Sequence, residues 1–189
     1  RAAPQEHGAL RRPVFFRSHG RRPMRLTTVP PRAWFALGAV TCAGLLGFGY
    51  FLQFARDLEP CPLCILQRLA FMAFGLIALL GALFARGRVV TRLLAGLGLV
   101  AAALGAGVAG RQVWLQSLPA DRVPACGPGL DYMVQNFPLL KTLSMVLRGS
   151  GECAQNAWQF LGLGIAAWAL VWFALLAALS VYLVWRPAR

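Results

Sequence analysis

Charge and histidine are what this 189-residue chain has least of. Only 13% of its residues are charged, and only two, His7 and His19, are histidine. With 58% hydrophobic residues and a mean hydropathy of +0.60, a soluble domain with a single core is excluded. The composition is that of a membrane protein. The scarcity of histidine leaves a zinc site with little but thiols to draw on. The chain has no Cys-x-x-Cys-His run, so the signature for haem is missing too. No internal repeat is evident.

What charge there is lies unevenly. The net charge is +13, which alone would suggest nucleic acid. Yet Arg1, Arg11, Arg12, Arg17, Arg21, Arg22, Arg25 and Arg32 precede the first apolar segment, Arg86, Arg88 and Arg92 share one short connection, and Arg186 and Arg189 close the chain. These are flanks of membrane spans, not a nucleic-acid surface. Residues 1–31, rich in Arg and Pro and without helical or strand period, are expected to be a disordered tail, or sequence translated ahead of a start at Met24. They do not have the form of a cleaved signal peptide. The remainder, 32–189, reads as one membrane domain.

Four spans are expected, at about 33–55, 62–85, 93–113 and 160–185. The first reaches about 34 Å at 1.5 Å per residue, enough to cross a bilayer. An even number of spans puts both termini on one side. That side carries thirteen basic residues against one acidic residue, Glu6, so it is expected to be cytoplasmic. In a bacterium the two opposite loops then face the periplasm. In the third span Ala102, Ala106 and Gly110 form a small-residue stripe suited to close helix packing. The long connection, 117–158, is broken by Pro119, Pro124, Pro128 and Pro138. Within it Leu139, Leu140, Leu143, Val146 and Leu147 cluster on one helical face, with Lys141, Ser144 and Arg148 opposite. That pattern suits a short amphipathic helix on the membrane surface. The expected fold is an all-α four-helix transmembrane bundle with two outer loops, the second carrying this interfacial helix.

The chemistry gathers at Glu59-Pro60-Cys61-Pro62-Leu63-Cys64-Ile65-Leu66-Gln67-Arg68. Pro62 suits the first position of a helix, where its missing N–H costs nothing. Cys61 then caps that helix, whose positive end favours a thiolate. Arg68 lies four residues after Cys64 on the same face. An arginine inside an apolar span costs roughly 3 kcal/mol at its centre, less near an end where it can snorkel to the interface. It reads as an interfacial anchor, or as a charge kept to serve Cys64 or an electron-accepting ligand.

Five cysteines are present, and four fall on the outer side: Cys61 with Cys64, and Cys126 with Cys153. Cys42 follows Gly38 by four residues within the first span and is expected to pack as a small apolar residue. Three readings of the outer four compete. As structural staples, a loop the size of Cys126–Cys153 could gain roughly 3–4 kcal/mol, but a three-residue Cys-x-x-Cys loop would gain almost nothing. As a metal site, only one pair has zinc spacing. As a thiol–disulfide relay, the pairs exchange with each other and with an outside partner. A relay needs an electron sink, and a lipid-soluble quinone beside Cys64 and Arg68 fits. Arg68 could stabilise a thiolate and also the charge developing on a quinone oxygen.

The chain resembles the disulfide bond formation protein B (DsbB) family. The resemblance lies in the four spans, in Cys-Pro-Leu-Cys-Ile-Leu-Gln-Arg opening the second, and in Gln112-Val113-Trp114-Leu115-Gln116-Ser117-Leu118-Pro119. It continues in Gly151-Glu152-Cys153-Ala154 and in Trp158-Gln159-Phe160-Leu161-Gly162-Leu163. It covers about Arg32 to Arg186. It implies an inner-membrane oxidoreductase that reoxidises a periplasmic DsbA-like protein and passes the electrons to ubiquinone or menaquinone. By motif, Cys126 matches the cysteine attacked by the reduced partner, and Cys153 the thiol released, which exchanges with Cys61. Cys64 matches the thiolate that interacts with quinone. Arg68 matches the arginine beside it, and Gln116 a residue near the quinone site. Gln112 stands where some relatives have histidine, and is assigned to the quinone site with them. The chain departs from the family pattern at Gly164-Ile165-Ala166-Ala167-Trp168, where many relatives place a proline just before the tryptophan. A vitamin-K-epoxide-reductase-like protein also has paired thiols and four or more spans, but matches these motifs less well. A membrane scaffold with structural disulfides, or a thiol metal site, would have no use for an arginine at position 68.

Overall fold

Proline sets where the first two helices begin. In the computed structural model, which describes residues 29–125, 127, 130–155 and 158–186, α1 (Pro31–Arg56) and α2 (Pro62–Phe84) each start with proline in the first turn. The fixed φ of proline is already helical and its missing N–H would have had no partner there. Asp57, in the left-handed region at φ 51°, ends α1 by returning its N–H to Leu52. Residues 1–28 lie outside the described residues, and with them His7, His19 and most of the expected tail. Cys126 and Pro128 lie outside them as well.

The third span is longer than its apolar stretch. α3 runs Arg88–Gln116 instead of 93–113, because helical hydrogen bonding does not stop where side chains turn polar. The fourth is shorter at its start. α7 is Ile165–Trp185, and the apolar residues expected to open it at 160 form a hairpin instead. In that hairpin β1 (Gln159–Phe160) pairs antiparallel with β2 (Leu163–Gly164) around a two-residue turn, Leu161 at φ 52° and Gly162 at φ 77°. Two positive φ values in sequence make the tight turn whose twist suits an antiparallel pair.

Four helices, α1, α2, α3 and α7, are long and apolar enough to cross a membrane. α3 is the hub: it packs along both α2 and α7, and α1 packs along α2, while α1 and α7 touch only sparingly. The small residues of α3 that pack are Ala95, Gly98, Ala102, Gly105 and Ala109, at spacings of three and four. Ala106 and Gly110, expected in the stripe with Ala102, are only half-buried. Large residues fill the space: Phe173 of α7 lies so close to Gly105 that a Cβ there would sit 2.3 Å from its ring. The same ring stacks on Phe71 at 4.0 Å. Cys42 is buried in this core, as expected for a small apolar residue. Ser180, buried in the same helix pair, returns its hydroxyl to Leu176 O at 2.9 Å, so this hydroxyl is not stranded.

A second, smaller core sits over the outer end. α4 (Leu130–Asn136), α5 (Leu139–Arg148) and α6 (Gly151–Ala154) contribute Met133, Val146 and Cys153 to it, against Cys61, Leu63 and Leu115. α5 is the expected amphipathic helix, but its protein-facing residues are Thr142 and Val146. Leu139, Leu140, Leu143 and Leu147 point away from the protein, Leu140 being 84% exposed.

Candidate active site

The N-terminus of α2 and the short α6 bring three sulfurs together. Cys61 caps α2 and Cys64 lies one turn inside it, so their Sγ atoms come to 3.0 Å, within about an ångström of bonding distance. Cys153 reaches them from the second loop and is fully buried.

Several contacts fix α6 there. Arg111, at the outer end of α3, donates to the last carbonyls of α5, Nε to Leu147 O at 3.2 Å and Nη2 to Arg148 O at 2.9 Å. These are helix-end acceptors that a cation satisfies well. The same guanidinium lies over the Trp114 ring at 4.2 Å. Gly149 then turns the chain at φ 80°, so close to Leu115 that a Cβ would stand 2.3 Å from its Cδ1. Only glycine satisfies both the dihedral and the approach. Ser150 caps α6 and its hydroxyl lies 3.7 Å from Cys153 Sγ.

The two loop cysteines have opposed acidities. Cys61 is pushed up, first because it donates to Cys153, next because it donates to Cys64, and then by burial. Cys153 is lowered to about 6, chiefly by that hydrogen bond from Cys61 and against its own burial. Backbone N–H groups of Ser150 and Leu63 lower it further. Leu63 is in the first turn of α2, so the positive end of that helix faces the Cys153 sulfur. Cys61 thus keeps a proton while Cys153 readily becomes a thiolate, the form that attacks a disulfide.

Beside the sulfurs opens a cavity of about 640 Å³, walled by α1, α2, α3, α6 and α7. Cys61, Cys64, Arg68, Gln112 and Gln116 all line it, with Trp168 and Trp172 on the side where α1 and α7 part. Its size and its mostly apolar wall with a few polar groups are those of a small-molecule site. Arg68 is held to α1: it donates to Gln53 Oε1 and to Gly49 O, and lies over Tyr50 at 5.0 Å. Its hydrogen bonds are thus to α1 and not to Cys64, though both side chains share the cavity wall. Gln112 is nearer the sulfurs than expected for a purely ligand-facing residue. Its Nε2 lies 3.3 Å from Cys64 Sγ and 3.5 Å from Cys61 Sγ. Among the described residues, no group of His, Cys, Asp and Glu is arranged to hold a metal ion.

The sequence reading did not single out Gln53 or Gln67. Gln67 is buried and bonds Gln112 across the helix pair at 2.7 Å. The signal was available, since a glutamine in an apolar span must find a partner.

Comparison with known proteins gives one family. The description "Disulfide bond formation protein DsbB" matches residues 31–183. Similar proteins named disulfide bond formation protein B occur in Nitrosococcus oceani, 51% identical over 82% of this chain and 90% of the relative, and in Chromobacterium violaceum, 50% identical over 84% and 95%. One from Methylococcus capsulatus is 44% identical over 87% of this chain and the whole of the relative.

Proposed function

The chain belongs to the disulfide bond formation protein B family of membrane disulfide oxidoreductases, and from that premise we propose that it takes two electrons from a DsbA-like thiol protein and passes them to a membrane quinone. The observation that carries this reading is the meeting of Cys153, from the second loop, with Cys61 and Cys64, which line one apolar cavity.

The exchange runs through thiolates. The donor's thiolate attacks Cys126 of a Cys126–Cys153 disulfide; a mixed disulfide forms and Cys153 leaves as thiolate. The donor's second thiol resolves the mixed disulfide, so the donor leaves oxidised and Cys126 is freed. Cys153 attacks Cys61 Sγ, and the electron pair of the Cys61–Cys64 bond leaves on Cys64. Cys126 then attacks Cys153, which re-forms the outer disulfide and leaves Cys61 and Cys64 as the reduced pair. A quinone in the cavity supplies the two-electron, two-proton sink that lets Cys61 and Cys64 rejoin. Arg68 and Gln116 offer donors toward a carbonyl oxygen there, and the parting of α1 and α7 suits an apolar tail.

The same reading puts the protein in a bacterial inner membrane with both termini cytoplasmic, and rests the exposed leucines of α5 on the lipid surface. The test is quinone reduction by the purified protein with a reduced DsbA as the only thiol donor, using ubiquinone and menaquinone in turn. Turnover is expected, and Cys61→Ser or Cys126→Ser should abolish it. Cys64→Ser should still react with the donor but pass nothing on. Normal turnover by Cys64→Ser would overturn the order of steps.

A further inference from the structure

Gln67 and Gln112 face each other across α2 and α3, both 3% exposed. Two buried carboxamides must share their donors and acceptors, because an unmet one is costly in an apolar interior. Gln67 Nε2 donates to Gln112 Oε1 at 2.7 Å. That bond holds the Gln112 oxygen on the Gln67 side, where it also accepts from the protonated Cys64 Sγ at 3.6 Å, and leaves the nitrogen nearer the sulfurs. That nitrogen, Nε2, has two hydrogens and three acceptors in reach: Cys64 Sγ at 3.3 Å, Cys61 Sγ at 3.5 Å and Cys153 O at 3.5 Å.

We propose that Gln67 is a positioning residue, which locks the Gln112 carboxamide with its N–H groups toward the sulfurs so that a neutral donor meets the negative charge when it arrives on Cys64. A rotated carboxamide would present oxygen to a thiolate and repel it. Because an amide does not titrate, the donor is present at every working pH. The same N–H end touches the Cys153 carbonyl, so one group ties the α2 pair to the loop that attacks it. This rests on the relay reading for its purpose but not for its test.

The test is the pH profile of Cys64 alkylation in the full-length, fully reduced protein, read by mass spectrometry with no donor and no quinone present. The other charged or titratable groups facing this part of the cavity are Cys61, Cys153, Arg68, Glu59 and Glu152, and all stay in place. Gln67→Met keeps the volume and removes the lock. Losing an aligned donor to a charged sulfur should raise the midpoint by about one pH unit, a roughly tenfold loss of thiolate below it. Gln112→Met should raise it at least as much, and the double variant no further than Gln112→Met alone, since Gln67 acts only through Gln112. An unchanged midpoint in Gln67→Met, or additive shifts in the double variant, would overturn the proposal. Should Gln67→Met fail to fold, Gln112→Met decides alone, and an unchanged midpoint there overturns it equally. Wild-type quinone reduction, measured in parallel, tests the relay separately.

Discussion

The two cores of this protein are built on different rules. The inner one, between α1, α2, α3 and α7, fits large residues against small ones: Phe173 on Gly105, and Phe35 on Gly81, where a Cβ would lie 2.4 Å from the ring. Nothing in it needs to change during function. The outer one, around Cys61, Leu63, Leu115, Met133, Val146 and Cys153, is closed by short helices and held by caps, a glycine turn and amide bonds. The proposed relay asks its sulfurs to exchange partners, and this core is fastened at its edges. Close-packed interiors resist displacement, whereas hydrogen-bonded loops open at less cost.

That contrast can be broken at either end. The largest effect is expected from Cys61→Ser, which should abolish quinone reduction while leaving the melting temperature in detergent within a few degrees of wild type. Next comes acidity: with the Cys153 thiol lowered to about 6, its thiolate dominates above that value. In the fully reduced protein, where Cys61 still donates its proton, the thiolate absorbance at about 240 nm that is lost in Cys153→Ser should therefore hold above pH 6 and fall about tenfold per unit well below it, read across pH 4–8. Gly105→Val should do the reverse of Cys61→Ser, costing about 3 kcal/mol in a thermal or denaturant melt with turnover per folded molecule preserved. If turnover per folded molecule also collapsed, the two cores would not be separable. The smallest effect is expected from Gly149→Ala. The positive φ and the approach to Leu115 should cost about 1–2 kcal/mol locally, seen as slower Cys153 exchange with little change in global melting.

Much of this was legible because a bilayer imposes simple rules. The start of α2 follows from Pro62 and the lengths of α1 and α2 from the apolar runs, whereas α1 begins at Pro31, two residues ahead of the expected 33 and inside the expected tail. The meeting of Cys61, Cys64 and Cys153 follows from motifs expected on one side of the membrane. The hairpin at Gln159–Gly164 was not legible, because Phe160, Leu161 and Leu163 are as apolar as a span and nothing but Gly162 marks the turn. The packing stripe of α3 was legible in part: Ala102 is in the core and Ala106 packs against it, but in a helix with so many glycines and alanines several stripes look alike, and Phe173 and Phe74 select Gly105 and Gly98 where Gly110 was expected. Gln67 was passed over because it stands beside Arg68, whose charge drew attention from the amide next to it.

The burial of the described sulfurs also acts as insulation. Cys153 and Cys42 are all but sealed, Cys61 is 9% exposed, and Cys64 looks onto the cavity. A folded protein cannot press its own sulfur against any of them. In the proposed relay an oxidising bond kept this way would not leak to whatever thiols drift past, and would be discharged only by a partner that first engages the second loop.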